Sequence, residues 1–152
     1  MKKISFLDLG KHPITNNFLK TNKPKNEFFY NLKLIYNKET KLVSLDNFVP
    51  PKKMFNDKYA HRASASKTMQ KAYKNLAYKI KKKFKPKSIL EIGSNDGVFI
   101  KYFSNINNVG VEPCKNLADL TSKMKIETYD KFWTFQLSNK ILSKHGKFDI
   151  IY

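Results

Sequence analysis

Cysteine is almost absent from this 152-residue sequence, since Cys114 is the only one. A single cysteine excludes an intramolecular disulfide and a zinc cluster built from cysteines. Long apolar segments are absent too: no run of about 18 uncharged apolar residues occurs, and Asp8 interrupts the N-terminal segment before the apolar part of a signal peptide could form. We therefore expect a cytoplasmic protein without a membrane partner.

Arginine is equally scarce, because Arg62 is the only arginine among 30 basic residues in a chain of net charge +18. Such a charge attracts nucleic acid phosphates, but specific recognition commonly uses the bidentate guanidinium group of arginine. The lysines are spread along the whole chain with abundant Asn, Ile, Phe and Tyr, which AT-rich codons encode. We interpret the charge as coding bias on a solvated surface and predict no specific nucleic-acid partner.

The first 62 residues show no helical periodicity and are interrupted by prolines. Two short apolar stretches, "NLKLIY" and "KLVSLD", flank the polar "NKET", which is typical of a β-hairpin. Residues 1–62 are therefore predicted to form a small, loop-rich lobe.

A different pattern covers residues 63–85, where apolar side chains recur at intervals of three and four. Ser64 or Ser66 can cap the start, and Pro86 follows the end. The pattern predicts a long amphipathic helix that links the two lobes.

Strand-like and helix-like segments alternate through residues 86–152. The strands are "SILEIG", "NVGVEP", "KIETYD" and "KFDIIY", and the helices between them are "GVFIKYF", "KNLADLTSKM" and "FWTFQLSNKILSKH". This alternation favours a parallel sheet of about four strands flanked by helices, in which ligands bind outside the carboxyl ends of the strands.

The loop after the first of these strands has the composition of a ligand-binding turn. Gly93 lets the chain leave the strand tightly, and Gly97 permits close packing at the start of the next helix, whose N-H groups favour a polar or anionic group. About 20 residues after Glu91 the next strand ends in Glu112, which can accept hydrogen bonds from two ribose hydroxyls. The pair of motifs predicts a cofactor that contains adenosine.

Two cofactor classes use this layout. A dinucleotide site requires a glycine where Asn95 stands, and the charge of Asp96 repels a pyrophosphate. S-adenosylmethionine carries a cationic sulfonium and an amino group, which Glu91 and Asp96 can favour. The charge balance therefore favours S-adenosylmethionine.

The sequence resembles the S-adenosylmethionine-dependent sugar C-methyltransferases, which act on nucleotide-linked keto-hexoses. The resemblance rests on "LEIGSNDG" with "GVEP", on "LDLGKHPITNNFL" and "KLVSL" near the N-terminus, and on "VPPKKMFNDKYAHRASAS" before the long helix. It implies a Rossmann-like class I methyltransferase domain over residues 86–152. It also implies a pocket for S-adenosylmethionine lined by Glu91, Gly93, Asn95, Asp96, Gly97 and Glu112. Tyr59, Ser64 and Ser66 match linker positions that face cofactor or substrate, with packing and helix capping as the alternative for each.

The sequence departs from this family at an amino-terminal zinc site, which usually has two Cys-x-x-Cys pairs. The second pair falls on Asn37 and Thr40, and we interpret His12 and His61 as surface or packing residues. We therefore predict a degenerate zinc-binding lobe without metal. Cys114 is expected to fill a small buried site.

The resemblance also implies a reaction in which a base removes the proton next to the 4-keto group of the sugar. That base and the groups that stabilise the enolate are expected beyond Tyr152, so we expect residues 1–152 to be a cofactor-binding fragment without turnover. Two alternatives remain open. One is an O- or N-methyltransferase of another small molecule, and the other is a non-catalytic module whose basic surface binds an anionic partner.

Overall fold

The computed structural model describes residues 3–19 and 27–152, and the chain divides into two compact units, Met1–Phe55 and Asn56–Tyr152. None of the helices in these described ranges has the length and hydropathy that a membrane span requires.

The first unit contains a three-stranded antiparallel sheet in the order β1, β2, β3. Its elements are the strands β1 (Lys3–Pro13), β2 (Phe29–Asn37) and β3 (Val43–Leu45) and the short helix α1 (Pro51–Met54). The predicted hairpin is confirmed by the pairing of β2 with β3. Its turn is closed by Asn37, whose side-chain oxygen accepts hydrogen bonds from the backbone N-H groups of Glu39 and Thr40.

Strand β1 is not predicted from the sequence, although it is the longest strand among the described residues. Its pairing with β2 shifts register between Ser5 and Leu7 and again between Asp8 and Lys11. Each irregularity displaces the alternation of side chains between the two faces, which is the pattern that identifies a strand in a sequence. The described residues of the first unit thus contain one strand, β1, beyond the predicted hairpin.

The second unit begins with the long helix α2 (Lys67–Phe84), which follows a short 3-10 helix at Ala63–Ala65. The Ser66 hydroxyl accepts a hydrogen bond from the backbone N-H of Met69, so Ser66 and not Ser64 is the N-cap. The helix ends at Lys85, which adopts the left-handed conformation with φ of 46°. The predicted long helix is confirmed, and the cap residue sets its start.

The predicted parallel sheet is confirmed, with four strands in the order β6, β5, β4, β7. Its elements are β4 (Ser88–Ile92), β5 (Asn107–Val111), α3 (Lys115–Lys123), β6 (Glu127–Tyr129), α4 (Phe135–His145) and β7 (Ile150–Ile151). This arrangement is consistent with a Rossmann-like fold. The chain turns from β4 to β5 on one side and later returns to β7 on the other, so the order reverses at β4. Such a point is where open α/β sheets bind ligands.

The helix predicted for "GVFIKYF" is wrong, because this segment forms turns followed by a 3-10 helix at Ile100–Phe103. Val98, Phe99, Ile100 and Phe103 are all buried. Side chains buried in succession leave no polar face for an amphipathic α-helix, so packing overrides the apparent periodicity. A ligand after Gly97 therefore has no α-helix N-terminus to bind, contrary to the prediction.

Both faces of the parallel sheet are covered. Consecutive strand residues point to opposite faces, so Ile89 and Leu90 belong to different hydrophobic clusters. One cluster comprises Leu90, Val109, Val111, Leu137 and Ile141, and the other comprises Ala77, Ile89, Phe99 and Phe103. Burial on both faces explains why the apolar residues Ile89 and Leu90 follow each other directly in β4 instead of alternating with polar residues.

Candidate functional site

The ends of β4 and β5 lie level with each other. Ile92 is paired with Val111, and the next residue of each strand is Gly93 and Glu112. The Gly93 N-H donates to the Val111 carbonyl oxygen at 2.7 Å, and Gly93 has a φ of 79°. A left-handed glycine thus turns the chain away from β4 directly beside the acid that ends β5, as the motif predicts.

The carboxylate of Glu112, at the end of β5, is bonded to the loop after β4 and to the start of α3. Its Oε2 accepts a hydrogen bond of 2.8 Å from the Asn95 N-H, and its Oε1 accepts one of 2.8 Å from the Cys114 N-H. The residue is 5% exposed. Each carboxylate oxygen has a second lone pair, so Glu112 retains capacity for further hydrogen bonds.

Cys114 follows Glu112 and is fully buried at the start of α3. Burial, together with the hydrogen bond to the Glu112 carboxylate and the charge of that carboxylate, raises the pKa of the Cys114 thiol to about 12. The thiol is therefore protonated at neutral pH and unreactive. This result agrees with the predicted packing role.

Gly97 packs the loop against α3. A Cβ atom at Gly97 would lie 2.9 Å from Thr121 Oγ1, and the residue has a φ of 76°. The same Thr121 hydroxyl donates to the Asn95 carbonyl oxygen at 3.2 Å. Gly97 therefore lets α3 lie close to the loop, whereas the sequence predicts close packing at the start of the next helix.

Gly110, which is not among the predicted site residues, has a related role. A Cβ atom at Gly110 would lie 2.9 Å from Ser94 Oγ and 3.1 Å from Thr128 Oγ1. The loop after β4 and strand β6 can approach β5 this closely because residue 110 lacks a side chain. The available signal was a glycine within a strand, which often marks a close approach of backbone or side chains.

Glu91 is the buried acid at the end of β4, with 4% of its surface exposed. Burial and the charges of Glu112 and Asp96 raise the pKa of Glu91, whereas a hydrogen bond from the Ile100 backbone lowers it. The resulting pKa is about 8. Among the described residues, Glu91 Oε2 has no hydrogen-bond partner. The carboxyl group is thus protonated at neutral pH, and a cation bound beside it would lower its pKa again.

Asn95 and Asp96 direct their side chains toward the segment before α2. Asn95 Oδ1 accepts a hydrogen bond of 2.9 Å from the Ala63 N-H, and the Asp96 carboxylate accepts the Ser64 N-H at 3.2 and 3.3 Å. Asp96 is 3% exposed. Both residues lie at the predicted site, and these contacts are with the protein's own backbone.

The predicted linker residues differ in their surroundings. Tyr59 is half-buried, and its carbonyl oxygen accepts a hydrogen bond of 2.9 Å from Asn116 in α3. Ser64 lies against Asp96, whereas Ser66 is exposed and caps α2. Tyr59 and Ser64 are therefore close to the loop and to α3. For Ser66 the structure gives a capping contact, and a role toward a cofactor stays a prediction.

Asn116 and Thr121 also contribute to this site, although neither was singled out in the sequence. Both lie in α3 and bind backbone carbonyl groups that are 57 and 26 residues away in the chain. No local pattern marks such contacts. In the described ranges 3–19 and 27–152, no group of three or more His, Cys, Asp or Glu residues could hold a metal ion.

Comparisons with known proteins give two similarities. The family model Methyltransf_13, described as "Putative zinc binding domain", matches residues 1–55. The C-methyltransferase NovU of Streptomyces niveus is 30% identical over 66 residues, which are 42% of this chain and 16% of NovU. The match thus spans much less than two thirds of that protein's length. Together these similarities relate the chain to methyltransferases.

Proposed function

We propose that the second unit binds S-adenosylmethionine and serves the methylation of a carbon atom in a nucleotide-linked keto-sugar. The similarity to a C-methyltransferase supports the reaction class. The motifs "LEIGSNDG" and "GVEP", which resemble those of sugar C-methyltransferases, support the substrate class.

The observation that carries this proposal is the position of Gly93 and Glu112 at the ends of adjacent parallel strands. A Cβ atom at Gly93 would meet no atom within 4 Å, so the space beside this turn is open to a ligand. Glu112 can accept two ribose hydroxyls in addition to its backbone partners. Asn95 and the buried carboxylate of Asp96 disfavour a pyrophosphate at the same turn.

The donor and acceptor groups of the site fit this cofactor. Glu112 would hold the ribose, the Gly93 backbone would lie beside the cofactor, and the unpartnered oxygen of Glu91 would face its cationic part. When bound, S-adenosylmethionine supplies an electrophilic methyl group. The reaction also needs a base that removes the proton next to the keto group, and none of these residues is assigned to that role.

The proposal is tested by calorimetric titration of S-adenosylmethionine and its demethylated product into the wild type, Glu112→Gln and Asp119→Asn. Glutamine keeps one acceptor oxygen but lacks the second one and the negative charge, so binding should weaken by roughly 5- to 150-fold, which corresponds to about 1–3 kcal/mol. Asp119 is the matched control because it is an exposed acid on α3. Thermal unfolding shows whether each variant is folded, and equal affinities of wild type and Glu112→Gln would contradict the assignment.

The net charge of +18 supports a second candidate, a non-catalytic module that binds an anionic partner. Nonspecific binding to nucleic acid weakens by about 10³-fold or more between 50 and 200 mM salt when six or more phosphates are contacted. Saturable binding of S-adenosylmethionine at 200 mM salt, with loss of nucleic acid retention, favours the cofactor. Retention of nucleic acid at that salt, without cofactor binding, favours the module. Transfer of the methyl group to an oxygen or nitrogen acceptor would identify an O- or N-methyltransferase.

A further inference from the structure

Residues 59–64, here named the strap, have their backbone bound by side chains that lie far away in the sequence. Asn116 Nδ2 donates to the Tyr59 carbonyl oxygen at 2.9 Å, and Asn95 Nδ2 donates to the His61 carbonyl oxygen at 3.3 Å. The N-H groups of Ala63 and Ser64 donate to Asn95 and Asp96. The strap is therefore attached along its whole length to the loop after β4 and to α3.

Asn95 is the centre of these attachments, because all four of its polar groups are bound. Its backbone N-H donates to Glu112, and its carbonyl oxygen accepts from Thr121. Its side-chain oxygen accepts from the Ala63 N-H, and its side-chain nitrogen donates to the His61 carbonyl oxygen. An asparagine suits this position for two reasons. Its amide offers both a donor and an acceptor, and asparagine tolerates the left-handed φ of 50° found here.

Asp96 connects the loop, through the strap, to the start of α2. Its carboxylate is 3% exposed and accepts the Ser64 N-H, and the Ser64 carbonyl oxygen in turn accepts a hydrogen bond of 2.6 Å from Gln70 of α2. If the strap left the loop, a buried carboxylate would lose this partner, which is unfavourable. The loop, the strap and the start of α2 thus stabilise one another.

We propose that Asn95 and Asp96 are positioning residues. Their side-chain hydrogen bonds to the strap, together named the clasp, hold the strap against the loop and thereby fix Tyr59 beside α3. Their side chains act through the strap and not through contact with the cofactor. The clasp itself depends only on the hydrogen bonds above. We further expect the strap to form one wall of the cofactor site, so that the clasp raises the affinity for S-adenosylmethionine. This second step rests on the proposed function.

Amide hydrogen exchange of the whole chain, wild type against Asn95→Gly, tests the clasp. Glycine keeps the left-handed backbone and its bonds to Glu112 and Thr121, so only the side-chain bonds to the strap are lost. Asn108→Ala is the matched control, because Asn108 donates to the carbonyl oxygens of Phe103 and Ile106 and not to the strap.

We expect exchange in residues 59–64 to become roughly 2- to 10-fold faster in Asn95→Gly, with unchanged rates in β4 and α3 and no effect of Asn108→Ala on the strap. Unchanged strap exchange, or an equal acceleration throughout the second unit, would overturn the clasp.

Titration of S-adenosylmethionine into the same variants tests the positioning role. Weaker binding by Asn95→Gly, with a freed strap, supports this role, whereas a freed strap with unchanged affinity overturns it. If the wild type does not bind S-adenosylmethionine, the proposed function fails by itself, and the exchange rates of the cofactor-free protein still decide whether the clasp exists.

Discussion

Burial of the Glu91 side chain makes the free energy of unfolding depend on pH. Its pKa is about 8 in the folded chain, against an ordinary value of 4.5. Between these two values the unfolded chain releases a proton that the folded chain retains. The free energy of unfolding should therefore fall as pH rises through this window, by up to about 1.4 kcal/mol per pH unit from this residue.

Replacement of Glu91 by Gln should flatten this dependence, because glutamine is neutral throughout and has nearly the shape of the protonated acid. Urea unfolding at pH 5, 6, 7 and 8 measures the slope for each variant. Asp119→Asn is the control, since Asp119 is exposed and paired with Lys115. If Glu91→Gln and the wild type showed the same slope, the raised pKa would be wrong.

Gly97 and Gly93 have nearly the same φ but different neighbours. An alanine at either position incurs a backbone cost of about 1–2 kcal/mol. At Gly97 the new Cβ also meets Thr121, which adds about 1–3 kcal/mol. Gly97→Ala should therefore lower the free energy of unfolding more than Gly93→Ala, as measured by urea unfolding. Equal losses would mean that contact with α3 does not require a glycine.

At the scale of elements, the start of α2 depends on one hydroxyl group. Ser66→Ala removes the acceptor for the Met69 N-H and should lower the free energy of unfolding by about 1 kcal/mol. Ser66→Asp should retain the stability, because aspartate is also an N-cap and no acid lies in the first turn of α2. Chemical unfolding measures both variants, and equal losses would argue against a capping role.

Sequence patterns predict some of these elements better than others. Helix α2 is predictable because its apolar residues recur at intervals of three and four, and strand β4 is predictable because a short apolar segment is followed by a turn that contains glycines. Strand β1 is not predicted because register shifts break its alternation, and the 3-10 helix at Ile100–Phe103 is mistaken for part of an α-helix because Val98, Phe99 and Ile100 are buried in succession. The loop glycines and Glu112 were predictable from spacing. The partners of Asn95 were not, because they lie 32 and 34 residues away in the sequence.

Over the whole molecule, the charges are unevenly distributed. The chain has 12 acidic residues against 30 basic ones. Within the described ranges the buried acids are Glu91, Asp96 and Glu112, which all lie at the carboxyl ends of β4 and β5 or in the loop between them. With these acids buried, the solvated surface carries an even larger positive excess. Weak and salt-sensitive binding of polyanions is therefore expected irrespective of the ligand at the site.

The first unit is expected to fold without zinc, although residues 1–55 match a zinc-binding family model. The only cysteine, Cys114, belongs to the second unit, and residues 37 and 40 are Asn and Thr. In their turn, the Asn37 side chain accepts hydrogen bonds from the backbone N-H groups of Glu39 and Thr40, which constrain the turn without a metal ligand.

Two measurements check this expectation. Elemental analysis after dialysis against a mild chelator should find no stoichiometric zinc, and the chelator should leave thermal unfolding unchanged, because zinc bound only by the folded state would contribute to its stability. Asn37→Ala should lower the stability of the first unit by about 1 kcal/mol, since two backbone N-H groups lose their acceptor. One tightly bound zinc ion per chain, together with a lower unfolding temperature after chelation, would show that oxygen and nitrogen ligands had replaced the thiolates.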